Sequence, residues 1–584
     1  MYKVIPAKQK GMLELQGEGY YGNVFNILCQ CPDINKFVNN TFIFKASNSN
    51  ISYIRDKFPD TIWEGTANDL LKESENIEKI QKDFENKKTE QPKDISYYND
   101  IFKTKPFKHQ LEGFERSKDM HSFSLNFECG CGKTKVILDN SHYLFKKGEI
   151  NALVIIAPKD VHTDWVSKEI QTHLNCEFES FVWNGSLNKK TIERLKVVQN
   201  SSKLRIYSFN IECFVSNRQQ ELLIKILKEN ECLLVIDESQ KIKNPKAKRT
   251  KFFCDNIKKF KVRISNLCKY RRICTGTPIT NGISNIYTQY KFLDEKIIGM
   301  SSFYAFKNRY CVIEKSHFNN FSFDKIVGYK NIDELREKIA PYTMRVTKTE
   351  CLDLPAKTYL KTYFEMTNEQ KKIYNEVKNN GLSMIEEIDT KNPVVFNNAM
   401  SIMTKLQQIS SGYIIDPETK KTVFLVENKN NPKLKAVQEI VDSVSGKIII
   451  WTKFVADAKM LTEVFGECSV VYDGSVNSDD RALNKDLFKN NNKIKIFIAN
   501  LQVGATGLNL TEASNCIYFN NSYDLEARIQ SEARIDRIGA KEKIFYHDMI
   551  CSGTNDRKII KALVQKKKIS DVFLEDPKTF FIEE

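Results

Sequence analysis

The sequence predicts an α/β protein with two successive parallel-sheet units, preceded by a small α+β module. Short β-rich runs alternate with helical stretches between residues 150 and 280 and again after residue 447. Parallel sheets whose strands are joined by crossover helices produce this alternation. A chain of 584 residues is also too long for one hydrophobic core, which implies two to four domains.

The first 70 residues or so are predicted to form the small α+β module. Short aromatic-rich runs such as Tyr20-Tyr21 and Phe42-Ile43-Phe44 alternate there with polar turns. From about Glu73 to Asp94, almost every side chain is charged or carries an amide, which predicts a surface helix or a linker. We therefore place the first domain at residues 1–94.

The two α/β units are expected within residues 95–350 and 351–584. Residues 283–447 show mostly amphipathic helical patterning, so both units are expected to contain helical insertions. The candidate strands are Leu153–Ala157, Leu204–Tyr207, Leu233–Ile236 and Ile273–Thr275 in the first unit, and Ile448–Trp451, Ile494–Ile498 and Cys516–Phe519 in the second.

The composition is that of a soluble globular protein, with 41% hydrophobic and 28% charged residues. Its net charge of +15 favours an anionic partner. Because no apolar run could cross a membrane and the N-terminal residues lack the pattern of a secretion signal, we expect no membrane partner and an intracellular location. That location is the cytoplasm or nucleoid, or the host cytoplasm if the source is viral. Fifteen cysteines without a CxxC pair favour reduced thiols over structural zinc.

The segment Glu128-Cys129-Gly130-Cys131-Gly132-Lys133-Thr134 has the pattern of a phosphate-binding loop. Small residues let backbone N–H groups surround phosphate oxygens, while the lysine reaches the terminal phosphates and the threonine hydroxyl binds Mg²⁺. Asp237 and Glu238 end an apolar strand further along the chain. The aspartate can hold the metal and the glutamate can polarise the attacking water. Together these segments predict a nucleoside triphosphatase.

Further motifs follow in order, and the whole set resembles the SNF2 branch of the superfamily 2 helicases over about residues 100–565. The resemblance implies two tandem RecA-like domains and a DNA-stimulated ATPase, similar to compact phage or bacterial members. Besides the acidic pair, it is carried by Cys274-Thr275-Gly276-Thr277-Pro278-Ile279-Thr280-Asn281, Met344-Arg345-Val346-Thr347-Lys348, Gly504-Ala505-Thr506-Gly507-Leu508-Asn509-Leu510 and Gln530-Ser531-Glu532-Ala533-Arg534-Ile535-Asp536-Arg537-Ile538-Gly539.

The resemblance implies roles for individual residues, with ATP and Mg²⁺ as cofactors. Thr134 and Asp237 would hold the metal. Arg534 and Arg537, three apart on a helix, would reach the terminal phosphate from the second unit. The implied cofactor-binding residues are Gln110 (for adenine), Gly130, Gly132, Lys133, Thr134 and Gly507. The implied nucleic-acid contacts are Lys159, Ser208, Lys243, Asn244 and Thr277.

One departure from the family pattern is Gln240, which replaces the histidine of the common DEAH form. Two assignments stay open at this stage. Trp165 belongs to a stretch that would lie along the nucleic-acid backbone, but its ring also suits core packing between helix and sheet. The lysine-rich run from Lys241 to Lys251 suits either a grip on phosphates or a solvated loop.

The predicted function is an ATP-dependent translocase on double-stranded DNA that remodels DNA or displaces bound proteins. Alternatives among enzymes are a branch-migrating or annealing helicase on forked DNA and a translocase on RNA or single strands. A non-enzyme alternative is a nucleotide-gated nucleic-acid-binding scaffold, although a pure switch has no need of Glu238. Residues 1–94 are expected to tune which DNA is engaged, and their removal to leave a folded ATPase.

Overall fold

The computed structural model describes most of the chain, which forms two compact units. The first unit comprises residues 1–314 and 324–347, and the second comprises residues 315–323 and 348–584. The three domains predicted from the sequence, with boundaries near residues 94 and 350, stay a prediction. The described residues are 2–9, 11–17, 23–33, 35–38, 41–87, 95–159, 161–257, 259–318, 321–351, 355–387, 394–416, 418–419, 421–504, 508–537, 540 and 542–574.

The first unit begins with a five-stranded sheet and three helices, as the predicted α+β module requires. Alternate strand residues such as Leu13, Leu15 and Phe42 share one hydrophobic core with Ile54 of a helix. The strands lie in the order β3-β4-β2-β1-β5. The elements are β1 (Lys3–Pro6), β2 (Met12–Gln16), α1 (Asn23–Cys29), β3 (Asn35–Val38), β4 (Thr41–Lys45), α2 (Asn48–Lys57), β5 (Ile62–Trp63) and α3 (Thr66–Lys87).

This module is docked on the rest of the first unit. The Asp33 carboxylate accepts hydrogen bonds from the Ser301 backbone N–H at 2.8 Å and from its hydroxyl at 2.9 Å. Lys296 Nζ lies 2.7 Å from Glu73 Oε2 on α3. The charged segment that begins near Glu73 is helical as far as Lys87, in agreement with the surface-helix alternative, and its Glu73 takes part in the contact. Residues 88–94 lie outside the described part of the chain.

Gly299 permits the closest approach between the module and the rest of the first unit. Its φ is +71°, and a Cβ there would lie 2.7 Å from Ser49 Oγ and 3.1 Å from Ser49 N. We expect Gly299→Ala to lower the free energy of unfolding by more than the roughly 1–2 kcal/mol of a left-handed alanine, because the methyl group also displaces Ser49. Gly148→Ala is the matched control, since Gly148 has φ +74° and no described atom within 4 Å of such a Cβ.

Urea denaturation of the two glycine variants checks this prediction. Equal losses of stability would contradict a tight contact at Gly299.

A seven-stranded parallel sheet follows in the first unit, with the order β14-β6-β11-β10-β7-β9-β8. Its strands are β6 (Ser122–Phe127), β7 (Ala152–Ala157), β8 (Phe178–Val182), β9 (Leu204–Asn210), β10 (Cys232–Asp237), β11 (Tyr270–Cys274) and β14 (Thr343–Val346). A separate two-stranded sheet is formed by β12 (Cys311–Phe318) and β13 (Phe321–Tyr329), of which residues 315–323 are counted with the second unit. The helices are α4 (Lys108–Ser117), α5 (Lys133–Lys146), α6 (Val161–Asp164), α7 (Ile170–His173), α8 (Lys189–Gln199), α9 (Asn217–Glu229), α10 (Lys248–Cys254), α11 (Ile286–Leu293), α12 (Glu295–Ile298), α13 (Phe303–Tyr310) and α14 (Ile332–Ile339).

The second unit contains a six-stranded parallel sheet in the order β15-β22-β21-β18-β20-β19 and a small sheet of β16 and β17. Its strands are β15 (Lys357–Phe364), β16 (Tyr413–Ile415), β17 (Thr422–Phe424), β18 (Lys447–Thr452), β19 (Ser469–Tyr472), β20 (Ile496–Asn500), β21 (Ala513–Tyr518) and β22 (Ile544–Cys551). Its helices are α15 (Lys348–Cys351), α16 (Asn368–Glu387), α17 (Val394–Ser411), α18 (Pro432–Ser443), α19 (Val455–Phe465), α20 (Ser478–Asn490), α21 (Leu501–Gly504), α22 (Leu525–Glu532) and α23 (Asp556–Leu574).

The seven candidate strands all overlap observed strands, so the two parallel sheets are confirmed. The expectation of a mostly helical region from residue 283 to 447 is wrong in part, because six strands, β12 to β17, lie there. β14 and β15 are edge strands of the two large sheets, and half-exposed edge strands lack the continuous apolar run of a buried strand. Among the described helices, none is long and apolar enough to span a bilayer.

Candidate functional site

The sheet of the first unit brings the predicted chemical segments to one edge. β6, β11 and β10 are neighbours, and the phosphate loop follows β6, the Thr275-Gly276-Thr277-Pro278 segment follows β11, and Asp237 ends β10. Carboxyl ends of parallel strands share one edge of the sheet, where open α/β folds place their ligands. Segments far apart in sequence therefore converge because of the strand order.

The phosphate loop has the backbone that its glycines allow. Gly130 and Gly132 have φ values of +95° and +82°, and α5 begins directly after Gly132. A Cβ at Gly132 would overlap the side-chain amide of Gln110. The amide oxygen of Gln110 accepts from the Phe107 backbone N–H at 3.0 Å, and a ring nitrogen of His109 lies 2.8 Å from the Cys131 carbonyl oxygen. α4 thus supports the loop through Gln110 and also through His109, which the sequence reasoning missed.

Lys133 lies beside both predicted catalytic acids. Its Nζ donates to the Phe127 carbonyl at 3.0 Å. Burial opposes the ammonium charge, but Cys129, Glu238 and Asp237 outweigh burial and raise the pKa of Lys133. Burial and the neighbouring Glu238 raise the pKa of Asp237 to about 6, against the opposing effect of Lys133. The mutual influence of these groups places the lysine and the acidic pair in one electrostatic cluster.

Glu238 has an unusual backbone and a fixed side chain. Its φ of +51° is in the left-handed region, which non-glycine residues adopt rarely and often at functional sites. Gln240 Nε2 donates to Glu238 Oε2 at 2.7 Å, and Thr275 Oγ1 donates to Gln240 Oε1 at 2.6 Å. The Thr277 backbone N–H donates to Thr275 Oγ1 at 2.9 Å. A continuous hydrogen-bond chain therefore joins the acidic pair to the segment after β11, and Gln240 is its central member.

Trp165 is buried, with 2% of its surface exposed, which agrees with the core-packing alternative. Its indole N–H donates to Asp237 Oδ2 at 3.0 Å. The other oxygen, Oδ1, accepts the Glu238 backbone N–H at 3.0 Å. Sequence reasoning missed this contact because the two residues are 72 positions apart and no local pattern links them.

Two of the predicted nucleic-acid contacts lie at the surface of the first unit. Lys159 follows β7 and is exposed, and Asn244 is exposed in the loop before α10. Lys243 is half-buried, and its Nζ donates to Thr280 Oγ1 at 2.7 Å. The loop that carries the lysine-rich run is thus tied to the segment after β11, on the side where Asp237 ends its strand.

The other two predicted contacts are buried. Ser208 has 0% of its surface exposed, and its hydroxyl donates to the His162 carbonyl at 2.6 Å. Thr277 is 5% exposed. The Ser208 hydroxyl therefore joins β9 to α6, and the nucleic-acid contact expected at Ser208 stays a prediction. Thr277 exposes only a small part of its surface to solvent.

In the second unit, Arg534 and Arg537 lie just beyond α22. That helix ends at Glu532, and the Arg534 backbone N–H bonds back to the Ser531 carbonyl in a tighter turn. Their predicted position on a helix is therefore corrected. Both side chains donate through Nη1 to the Leu508 carbonyl at 3.1 Å. Gly507, which precedes Leu508, lies outside the described residues.

The two arginines differ in burial. Arg534 is 5% exposed and also donates through Nε to the Gln530 carbonyl at 2.8 Å, whereas Arg537 is half-buried. Asp536 between them is paired with Lys348 Nζ at 3.0 Å and with Lys357 Nζ at 2.6 Å. Of the two arginines, Arg537 is the more accessible.

Comparison with known families gives two matches that together cover most of the chain. The SNF2-related domain matches residues 72–412, and the helicase conserved C-terminal domain matches residues 432–539. The first match alone extends over more than half of the sequence.

Several named proteins are similar to large parts of this chain. An uncharacterized ATP-dependent helicase of Mycoplasma genitalium is 25% identical, with 81% of this chain and 43% of that protein covered. The DNA repair and recombination protein RAD26 of Saccharomyces cerevisiae is 24% identical over 61% of this chain and 32% of its own length. The chain therefore spans less than half the length of these relatives.

Among solved structures, the Sulfolobus solfataricus SWI2/SNF2 ATPase core in complex with dsDNA is 23% identical to this chain. The match covers 82% of this chain and 97% of that one, with a TM-score of 0.35.

Proposed function

The chain belongs to the SNF2-related family, and on that premise we propose that it is an ATP-dependent translocase on double-stranded DNA. The observation that carries the proposal is the cluster of Lys133, Asp237 and Glu238 at the carboxyl edge of the first sheet. A hydrogen-bond chain extends from that cluster to the segment after β11. This arrangement can bind a triphosphate and activate water.

The residues at this edge suit Mg²⁺, which prefers oxygen ligands and usually combines one or two carboxylates with substrate phosphates. Thr134 at the start of α5 and Asp237 at the end of β10 would hold the ion, which would neutralise charge on the phosphates. Asp237 retains acceptor capacity on both oxygens, since each oxygen accepts one protein hydrogen bond. Gly130, Gly132 and Lys133 would bind the phosphates, and Gln110 would contact the adenine.

Glu238 would orient and polarise the attacking water. Its carboxylate is already held by Gln240, so its side chain does not need to be ordered during the reaction. Arg534 and Arg537 would stabilise the charge on the transferred phosphoryl group, and the more exposed Arg537 is the stronger candidate.

Positive charge on the first unit supports nucleic acid as the partner. Lys159, Lys246 and Lys248 are exposed, and the net charge of the chain is +15. Backbone phosphates are read by such charges without recognition of the bases. The similar yeast protein is named a DNA repair and recombination protein, which supports DNA as the partner. We therefore propose double-stranded DNA as the substrate. Forked DNA, single-stranded DNA and RNA are the alternative substrates that the experiment must distinguish.

We expect Mg²⁺-dependent ATP hydrolysis that duplex DNA stimulates more strongly than single-stranded DNA or RNA. Steady-state ATPase rates are measured with no nucleic acid and with saturating duplex, forked, single-stranded DNA and RNA, all at one salt concentration because phosphate contacts are salt-dependent. Equal stimulation by RNA and duplex DNA contradicts the duplex assignment. Nucleotide binding without turnover under every condition favours the nucleotide-gated scaffold instead.

A further inference from the structure

We propose that Trp165 is a positioning residue that holds the Asp237 carboxylate in the orientation needed to bind Mg²⁺. This role rests on the proposed ATPase function and adds a residue to its machinery. The observation is the hydrogen bond from the indole N–H to Asp237 Oδ2 at 3.0 Å, made by a ring that is 2% exposed. A buried indole N–H usually finds a hydrogen-bond partner, so the informative feature is which partner it has, here the carboxylate at the end of β10.

The backbone around Trp165 explains how the ring reaches the end of β10. α6 contacts β7 and β9, and the chain then forms one π-helical turn, Trp165–Glu169, before α7. A π-helical turn adds one residue relative to an α-helical turn, changes the direction of the side chains and occurs often at functional sites. The helix that covers the sheet therefore delivers an indole to the carboxyl edge.

The hydrogen bonds of Asp237 leave room for a metal. An ionised carboxylate has about four acceptor positions. The Glu238 backbone N–H occupies one on Oδ1, and the Trp165 indole occupies one on Oδ2. One position on each oxygen remains for Mg²⁺ or for a water bound to it. Partners of this kind orient carboxylate ligands and tune their affinity for metals.

The chemistry of the indole suits this role. Its N–H is a donor only and does not titrate in the physiological range, so it supports the carboxylate form and never competes for the metal. Asp237 and Glu238 are adjacent acidic residues, and like charges repel. A neutral donor on Asp237 offsets part of this repulsion without adding a cation that would repel Mg²⁺.

Trp183 offers a matched control in the same unit. Its ring is also 2% exposed, but it stacks near Phe209 with ring centroids 6.3 Å apart, and its backbone carbonyl lies 3.0 Å from a ring nitrogen of His162. Replacing either tryptophan by phenylalanine removes a similar buried volume. Only the change at Trp165 removes the donor to Asp237.

The test measures how the whole protein and its Trp165→Phe and Trp183→Phe variants bind a fluorescent ADP analogue, by anisotropy, in EDTA and across an Mg²⁺ titration. We expect the three proteins to bind the analogue equally in EDTA. The Mg²⁺ concentration that gives half-maximal enhancement of analogue binding should rise roughly ten- to hundredfold for Trp165→Phe. This is the usual loss of metal affinity when a hydrogen-bond partner of a metal ligand is removed. It should stay unchanged for Trp183→Phe.

An unchanged Mg²⁺ requirement in Trp165→Phe, or an equal loss of binding with and without Mg²⁺, overturns the positioning role. If that variant does not fold, benzothienylalanine at position 165, which keeps the bicyclic ring and lacks the N–H, provides the same comparison. Wild-type protein that binds no nucleotide in either condition overturns the proposed function and this role together. If wild-type binding depends on Mg²⁺ and the Trp165→Phe variant shows the same dependence, only the positioning role is overturned.

Discussion

Replacing Glu238 by glutamine is expected to reduce ATP turnover by roughly 10²- to 10⁴-fold, the usual contribution of a positioned general base. Nucleotide binding should persist. The glutamine amide preserves the shape of the side chain, and its oxygen can still accept a hydrogen bond from Gln240. In the wild type, Gln240 Nε2 lies 2.7 Å from Glu238 Oε2. It cannot polarise water as a carboxylate does. Steady-state hydrolysis with duplex DNA and anisotropy with a fluorescent nucleotide measure the two effects.

Two further variants define what the Glu238 result means. Lys133→Ala should weaken nucleotide binding as well as turnover, because it removes a phosphate ligand. Glu149→Gln should change neither, since Glu149 precedes β7 at the opposite edge of the sheet and pairs with Lys269 at 2.5 Å. Hydrolysis by Glu238→Gln at near the wild-type rate with DNA present would contradict the assigned role.

Arg537→Ala is expected to depress DNA-stimulated hydrolysis by roughly a thousandfold, the lower range for loss of an arginine finger. ATP affinity should change little, because the phosphate loop belongs to the first unit. Arg537 donates through Nη1 to the Leu508 carbonyl, and the residue is half-buried. The side chain can therefore reorient toward a phosphate. The kcat and KM for ATP, measured with duplex DNA, separate the two effects.

Arg534→Ala provides the comparison within the same turn. Arg534 is buried and donates to both the Gln530 and the Leu508 carbonyls, so its loss should lower the thermal stability of the protein in addition to the rate. Arg537→Ala should melt close to the wild type. If Arg537→Ala retains wild-type turnover, or if its rate falls only in proportion to a loss of folded protein, Arg537 is not a finger.

The features that the sequence makes visible are those whose geometry is local. Gly130 and Gly132 adopt the positive φ values that a phosphate loop needs, and glycine at these positions is visible in the sequence. Strands such as Leu233–Ile236 are buried on both faces and therefore appear as continuous apolar runs. Local spacing and residue type were sufficient for these features.

The segments that the sequence misassigned depend on distant partners. β14 and β15 occupy sheet edges and show no continuous apolar run, so a helical reading of that region was wrong in part. Arg534 and Arg537 lie beyond the end of α22, and Asp536 between them pairs with Lys348 and Lys357, far earlier in the chain. Nothing within the motif itself reports those ion pairs.

By itself, the sequence determined the two parallel-sheet units and the α+β module, and it predicted the phosphate loop and the acidic pair, because each corresponds to a contiguous pattern of residue types. Only the tertiary structure decided that the module docks through Asp33 on Ser301, that Ser208 is buried, and that Trp165 donates to Asp237. These contacts join residues that lie 46 to 268 positions apart. Such pairings follow from how the strands are ordered and how the helices pack on them, and no local pattern specifies them.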